Sequence, residues 1–270
     1  MKYLALLSLF AASFFAAAAP EKESAQLARG EALANQGGCA ACHTPPGGAA
    51  YSGNKVAGWV AFNITSDPKA GIGSWSQQQL EEYLRTGHVN GKAQAAGPMA
   101  DIIVNITGAY SKEDRAALAR YLHSIPPANP GDETKSRSSW GAPATDVDRI
   151  RGVSIEGDEL ASGARLYSGN CATCHGAGGE GVPGGHYPSL INNSAVGAPT
   201  ADNLVSAILQ GVQRTTRDGT EYFMPAFKDE LSDAQIVTLA SYVLRRFGQP
   251  GVAVTVKEVA ERRPAGAAGD

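Results

Sequence analysis

The sequence is short of the side chains that usually fill a protein core. Aromatic residues are 7% of 270 positions, which is thin for a chain long enough to form two ordinary domains. Cysteine is scarcer still: there are four, and all sit in two pentapeptides. A C-x-x-C disulfide closes too small a loop to stabilise much, so a disulfide scaffold is excluded. After the first 19 residues no run reaches the ~18 apolar residues of a membrane span. Charge of either sign is in short supply as well. The net charge is −3, acids and bases are interspersed, and no basic stripe of the kind that binds nucleic acid is present. Hydrophobic content of 43% and charged content of 18% still exclude a disordered chain. The 32 glycines and 15 prolines point to long loops.

The N-terminal stretch MKYLALLSLFAASFFAAAA, residues 1–19, has a lysine, an apolar run and a string of alanines. This is the layout of a secretory signal peptide, with cleavage expected near Ala17 or Ala18. An uncleaved anchor is the competing reading, disfavoured by Ser8, Ser13 and the small alanines. The expected compartment is the bacterial periplasm, and any membrane association would not use a spanning helix of the mature chain.

The rest reads as one plan written twice. Domains are expected over 20–125 and 159–250, joined by a polar linker at 126–158 and followed by a polar tail at 251–270. Each half opens with a short helix, at 22–36 and 159–169. Each then has a C-x-x-C-H pentapeptide, CAACH at 39–43 and CATCH at 171–175. A helix follows: Ser76 and Gln79 make a capping box before Leu80 and Leu84, with Gly87 as the stop. Its counterpart begins near Thr200 and stops at Gly211. A loop with a lone methionine comes next, GPMAD at 97–101 and YFMPAF at 222–227. A final helix closes each half, started by Ser111 and Asp114 or by Ser232 and Gln235. No strand pattern competes, so the fold class is mostly α.

The pentapeptides carry the chemistry. A thioredoxin-like dithiol would need a βαβ setting, which is lacking. One zinc held by both cysteine pairs would leave the histidines and methionines without a role. Covalent haem c attachment accounts for all of them. Cys39, Cys42, Cys171 and Cys174 would form thioethers to two porphyrins, and His43 and His175 would be the proximal iron ligands. Two haems would also explain the thin aromatic content, since each porphyrin would supply the centre of a core. With Met1 removed, Met99 and Met224 remain, one per half, each beside a proline and at a matched distance after its histidine. They are the candidate distal ligands, giving Met/His iron sites. His88 and His123 are expected to be solvated, and His186 to pack near a haem edge. Arg214 and Arg217 are candidates to approach the second haem's propionates. Two six-coordinate irons would have no open position, which favours electron transfer over catalysis.

The order of pentapeptide, loop, methionine and final helix resembles class I cytochrome c in both halves. In the first half, GWVAFNITSDPKAGIGSWSQQQLEEYLRTG at 58–87 with GPM at 97–99 is similar to the haem domains of cytochrome subunits of alcohol, aldehyde and sugar dehydrogenases. In that family the stretch matched by Asn63, Ile64, Thr65, Gly71, Ile72, Gly73 and Trp75 wraps the haem edge. The resemblance implies a periplasmic dehydrogenase as electron donor and an oxidase, the quinone pool or another cytochrome as acceptor. Family members usually carry three haem motifs and a membrane-associating C-terminal segment. With two motifs and a polar end, this sequence suits a soluble or loosely attached carrier. The alternatives are a dihaem shuttle feeding a terminal oxidase, or a haem enzyme of peroxidase or thiosulfate-oxidising type with one labile axial ligand.

Overall fold

A computed structural model describes residues 18–142, 158–182 and 186–263. The signal segment before Ala18 and its cleavage point lie outside the described residues, as does most of the second half of the linker.

The first lobe begins with helix α1 (Ala18–Gln36) and the short α2 (Cys39–His43). Strands β1 (Asn54–Val56) and β2 (Trp59–Ala61) form a hairpin that leads to α3 (Gln77–Thr86). Strands β3 (His88–Val89) and β4 (Ala93–Gln94) pair next, followed by α4 (Pro98–Asn105) and α5 (Lys112–Ser124). The second lobe repeats the plan with α6 (Asp158–Asn170), α7 (Ala172–His175), α8 (Asp202–Gln210), the hairpin of β5 (Val212–Thr215) and β6 (Glu221–Met224), and α9 (Asp233–Phe247). A further helix, α10 (Val256–Arg262), ends the described chain.

The helix boundaries follow local chemistry. Ser76 and Ser232 both make full capping boxes, with Gln79 and Gln235 returning a bond to the cap backbone. Ser111 accepts from the Asp114 backbone N–H. Each cap is worth about 1 kcal/mol. Gly87 ends α3 with a left-handed φ of 72°. The α8 helix starts at Asp202, slightly later than expected from sequence.

Four expectations are corrected. The methionines are not in loops: Met99 is the second residue of α4, because Pro98 has the fixed φ of a first helical position, and Met224 ends β6. Three two-stranded sheets occur among the described residues, too short to register as alternating patterns. Part of the linker is packed structure: a 3₁₀ turn at Arg137–Ser139 buries Arg137 and Ser138. The expected tail contains α10, capped by Thr255 and Glu258, with Val259 wholly buried. Among the described residues no helix is long and apolar enough to cross a membrane.

Each lobe is closed by packing its first helix against its last. Gly30 of α1 meets α5, where a Cβ would strike the Ala117 carbonyl oxygen and lie 2.6 Å from Tyr121 Cβ. Gly163 of α6 meets α9 in the same way, 2.8 Å from the Thr238 carbonyl oxygen and 2.6 Å from Tyr242 Cβ. The duplicated glycines are thus close-approach points of the two helix pairs. Leu33, Leu118 and Leu122 bury around the first crossing, and Tyr167, Leu239 and Tyr242 around the second.

The lobes meet along a polar seam. Val60 of β2 donates to Asn203 Oδ1 at 2.7 Å, and Asn203 Nδ2 returns a bond to the Val60 carbonyl at 2.9 Å. Ser206 donates to the Gly58 carbonyl at 3.0 Å, and the Ser194 backbone N–H to the Lys92 carbonyl at 2.9 Å. Arg85 pairs with Asp218 at 2.7 Å. Asp202 receives Lys55 from the first lobe at 3.3 Å and Arg262 from α10. Burial raises the Asp202 carboxyl, and Thr200, Arg262 and Lys55 together outweigh that, holding it below the ordinary carboxylate range.

Gly30→Ala and Gly163→Ala are each expected to destabilise by roughly 1–3 kcal/mol through overpacking, seen as a lower unfolding midpoint by circular dichroism. Asp202→Asn is expected to lower the unfolding midpoint at neutral pH. A depressed carboxylate stabilises above its unfolded-state pKa and loses that effect as pH falls, so the deficit should shrink progressively below about pH 4.

Candidate functional site

An apolar cavity is lined from both lobes. Cys39, Cys42, His43 and Met99 face it from the first lobe, and Cys171, Cys174, His175 and Met224 from the second. All eight residues singled out by the sequence therefore share one space. Its walls include Ile72, Trp75, Leu80, Leu84 and Leu118 on one side, and Leu190, Leu204, Ile208 and Phe227 on the other.

The pentapeptides present their side chains through one helical turn each. The Gly38 backbone is left-handed at φ 65° just before α2, which turns the chain out of α1 and sets Cys39, Cys42 and His43 on the cavity wall. In the second lobe His175 donates its backbone N–H to the Cys171 carbonyl at 2.9 Å, completing the same turn. None of the four cysteines is in a disulfide.

Each histidine is held by its other ring nitrogen. His43 Nδ1 lies 2.6 Å from the Phe62 carbonyl oxygen, and His175 Nδ1 lies 2.8 Å from the Pro188 carbonyl oxygen. A carbonyl only accepts, so Nδ1 donates and the Nε2 lone pair is left free. This second hydrogen bond is the usual device for fixing a ligating imidazole. Burial pushes both imidazoles below their ordinary pKa, opposed by those same bonds, so both are neutral and able to ligate at neutral pH. Burial also raises the Cys39 thiol, and pushes Cys171 up to about 12.

The NIT…GIG stretch builds the carbonyl that holds His43. Asn63 accepts from the Thr65 backbone N–H at 2.8 Å and from its hydroxyl at 2.7 Å, and donates to the Ala128 carbonyl at 2.6 Å. Ile72 returns its N–H to the Thr65 carbonyl at 2.9 Å. On the distal side, Gly97 precedes Pro98 and Met99 with φ 52°, and a Cβ there would strike the Trp59 ring. The indole thus fixes the entry into α4.

Other polar candidates fall differently. His186 lines the cavity and stacks on Tyr222 with centroids 5.9 Å apart. His88 is half-buried in β3 and not solvated, with Nδ1 2.7 Å from Gln94 Oε1. His123 is also half-buried, because α5 turns its ring toward the Ile72 backbone. Arg217 is exposed on the β5–β6 turn. Arg214 is buried and reaches into the first lobe, donating to the Ala95 carbonyl at 2.6 Å. Arg137 was not singled out from sequence, because it lies in a polar stretch without periodicity.

The donor set fits haem c. Two thiols and a fixed imidazole lie together on an apolar wall in each lobe, with a thioether on the same cavity. Among the described residues no three His, Cys, Asp or Glu side chains form a group that could hold a bare metal ion. When bound, the haem supplies an iron that takes up and releases one electron.

Comparison with known families agrees. Residues 27–126 match the family described as cytochrome c, and residues 158–243 match the family described as cytochrome C oxidase, cbb3-type, subunit III. The chain is a c-type cytochrome of two domains, mostly α, and two such domains carry two covalently bound haem c groups. It is 38% identical over 245 residues to the fructose dehydrogenase cytochrome subunit of Gluconobacter japonicus, covering 84% of this chain and 50% of that protein. It is 30% identical over 261 residues to the gluconate 2-dehydrogenase cytochrome c subunit of Pantoea cypripedii, covering 90% of this chain and 57% of that protein. It is 29% identical to the cytochrome c subunit of the quinone alcohol dehydrogenase of Gluconobacter oxydans, covering 90% and 52%. The chain spans about half the length of the cytochrome subunits it matches.

Replacing Cys171 and Cys174 by Ala is expected to halve the covalent haem content, read as haem absorbance per polypeptide after denaturation, while the first-lobe pentapeptide keeps its haem. The reciprocal change at Cys39 and Cys42 should leave the second-lobe haem.

Proposed function

We propose that this protein carries electrons from a periplasmic dehydrogenase to a downstream acceptor and is not itself an enzyme. In this reading Cys39 and Cys42 bond the first haem and Cys171 and Cys174 the second. His43 and Met99 ligate the first iron, His175 and Met224 the second. The lobes are residues 20–125 and 159–250, joined by 126–158. The setting is the bacterial periplasm, and the acceptor is an oxidase, the quinone pool or another cytochrome.

One observation carries the reading: each lobe offers its cavity one imidazole with a free Nε2 and one methionine thioether. An iron between them has no position left for a substrate, and the thioether raises its potential into the range of an electron carrier. The cavity lined from both lobes supports electron exchange between the two haems. The printed names of the relatives, cytochrome subunits of fructose, alcohol and gluconate dehydrogenases, support a dehydrogenase as donor.

Cyanide titration of the oxidised protein tests the closed-site claim. The native protein should resist cyanide, while Met99→Ala and Met224→Ala should each open one haem to it and lower that haem's potential. Cyanide binding by the native protein as readily as by Met99→Ala would replace the carrier reading with a haem enzyme whose first iron has a labile ligand.

A further inference from the structure

Two buried arginines come from outside the first lobe and end among its backbone. Arg137 belongs to the connecting segment and is 8% exposed. Its Nη2 donates to the Asn63 carbonyl at 3.3 Å and its Nη1 to the Ala70 carbonyl, and its guanidinium lies 4.4 Å over the Phe62 ring. Arg214 belongs to β5 of the second lobe and is 3% exposed. Its Nη1 donates to the Ala95 carbonyl at 2.6 Å, and its guanidinium lies 4.3 Å over Tyr222. It also packs close against Gly87, where an added Cβ would come within 3.2 Å of its Cζ.

Neither cation is satisfied by the chain. Arg137 Nε and both Nε and Nη2 of Arg214 are buried without a hydrogen-bond partner. Arg137 has one carboxylate nearby, Glu133 at 3.9 Å, and no ion pair of Arg214 is found among the described residues. Burial depresses Arg137 to about 10, with Glu133 opposing, and lowers Arg214 as well. A guanidinium withdrawn from water with open N–H groups is strongly disfavoured unless an anion meets it. Arg137 is on the cavity lining, beside the Phe62 whose carbonyl holds His43, and Arg214 is braced by Ala95 and Tyr222, which also line the cavity.

We propose that Arg137 and Arg214 bind the two propionate carboxylates of the haem in the first lobe. That haem site is then completed by the linker and the second lobe, beyond the residues of its own domain. The proposal rests on reading the first lobe's side of the cavity as a haem site. The chemistry matches: a porphyrin of this class carries two carboxylates, and a guanidinium is a planar fork suited to one carboxylate each. Two cations at the first haem's carboxylates also favour its ferrous form, so they raise the first haem's potential more than the second's.

The test measures the potential of each haem in the full two-haem chain, with the first haem assigned by the Cys171→Ala/Cys174→Ala protein. Arg137→Gln and Arg214→Gln are each expected to lower the first haem's reduction equilibrium constant about tenfold, which is ~59 mV for one electron, with a smaller shift of the second haem. Arg137→Lys and Arg214→Lys should restore part of the shift, because a point charge remains without the fork. Arg217→Gln, on the exposed turn, should move neither haem. Full haem content with an unchanged first potential in both Gln variants overturns the proposal, as does a shift confined to the second haem. Should the Gln variants fail to accumulate, the Lys variants decide: a lowered first potential supports the assignment and an unaltered one sinks it. Absence of haem from the CAACH peptide of the native protein, read by mass, would instead remove the underlying haem reading.

Discussion

A hydrogen bond between one imidazole nitrogen and one backbone carbonyl, made once in each lobe, is the constraint on which the remaining architecture depends. It sets the tautomer, the ring plane and the direction of the free lone pair together. In the first lobe the Phe62 carbonyl must therefore be held still. Asn63, Thr65 and Ile72 lock the loop internally, and Ala128 and Arg137 clamp it from the connecting segment. In the second lobe the Pro188 carbonyl does this work, with Ser189 and Asn193 bonding the following turn. The connecting segment supports this loop too, since the Asn192 backbone N–H donates to the Trp140 carbonyl at 2.8 Å.

The duplication is deepest where geometry is least forgiving. The paired glycines at the helix crossings, the serine caps Ser111 and Ser232 of the closing helices and the pentapeptides recur in order. The lobes diverge where they touch. The hairpins before the two methionines differ in length, and the residues they offer the seam differ too: His88 and Gln94 from one, Arg214 and Tyr222 from the other. Divergence at the seam gives two similar lobes different electrostatic surroundings, which two identical halves could not supply.

Much of this was legible in the sequence because it rests on local rules. Pentapeptide spacing, capping residues and helical periodicity need few distant contacts to be read correctly. What escaped depends on partners far along the chain. Arg137 lies in a polar stretch without periodicity, and only the fold brings it to Asn63 and Ala70. Arg214 was expected near the second haem by proximity in sequence, yet it crosses the seam. The C-terminal α10 is a different kind of miss: Thr255 and Glu258 form the same capping pattern used elsewhere, and a reading that stopped at the polar composition of the tail passed over it. Short hairpins such as β3–β4, with two residues per strand, carry too little alternation to be seen at all.

The pair of bonds between Asn203 and Val60 has a further consequence. A carboxamide carries the same donor and acceptor as a peptide unit, and here it occupies both backbone groups on the outer edge of a hairpin. An unpaired edge of that kind is a template for adding strands from neighbouring molecules. Docking of the second lobe therefore covers that edge of the hairpin and leaves neither backbone group of Val60 open to another strand.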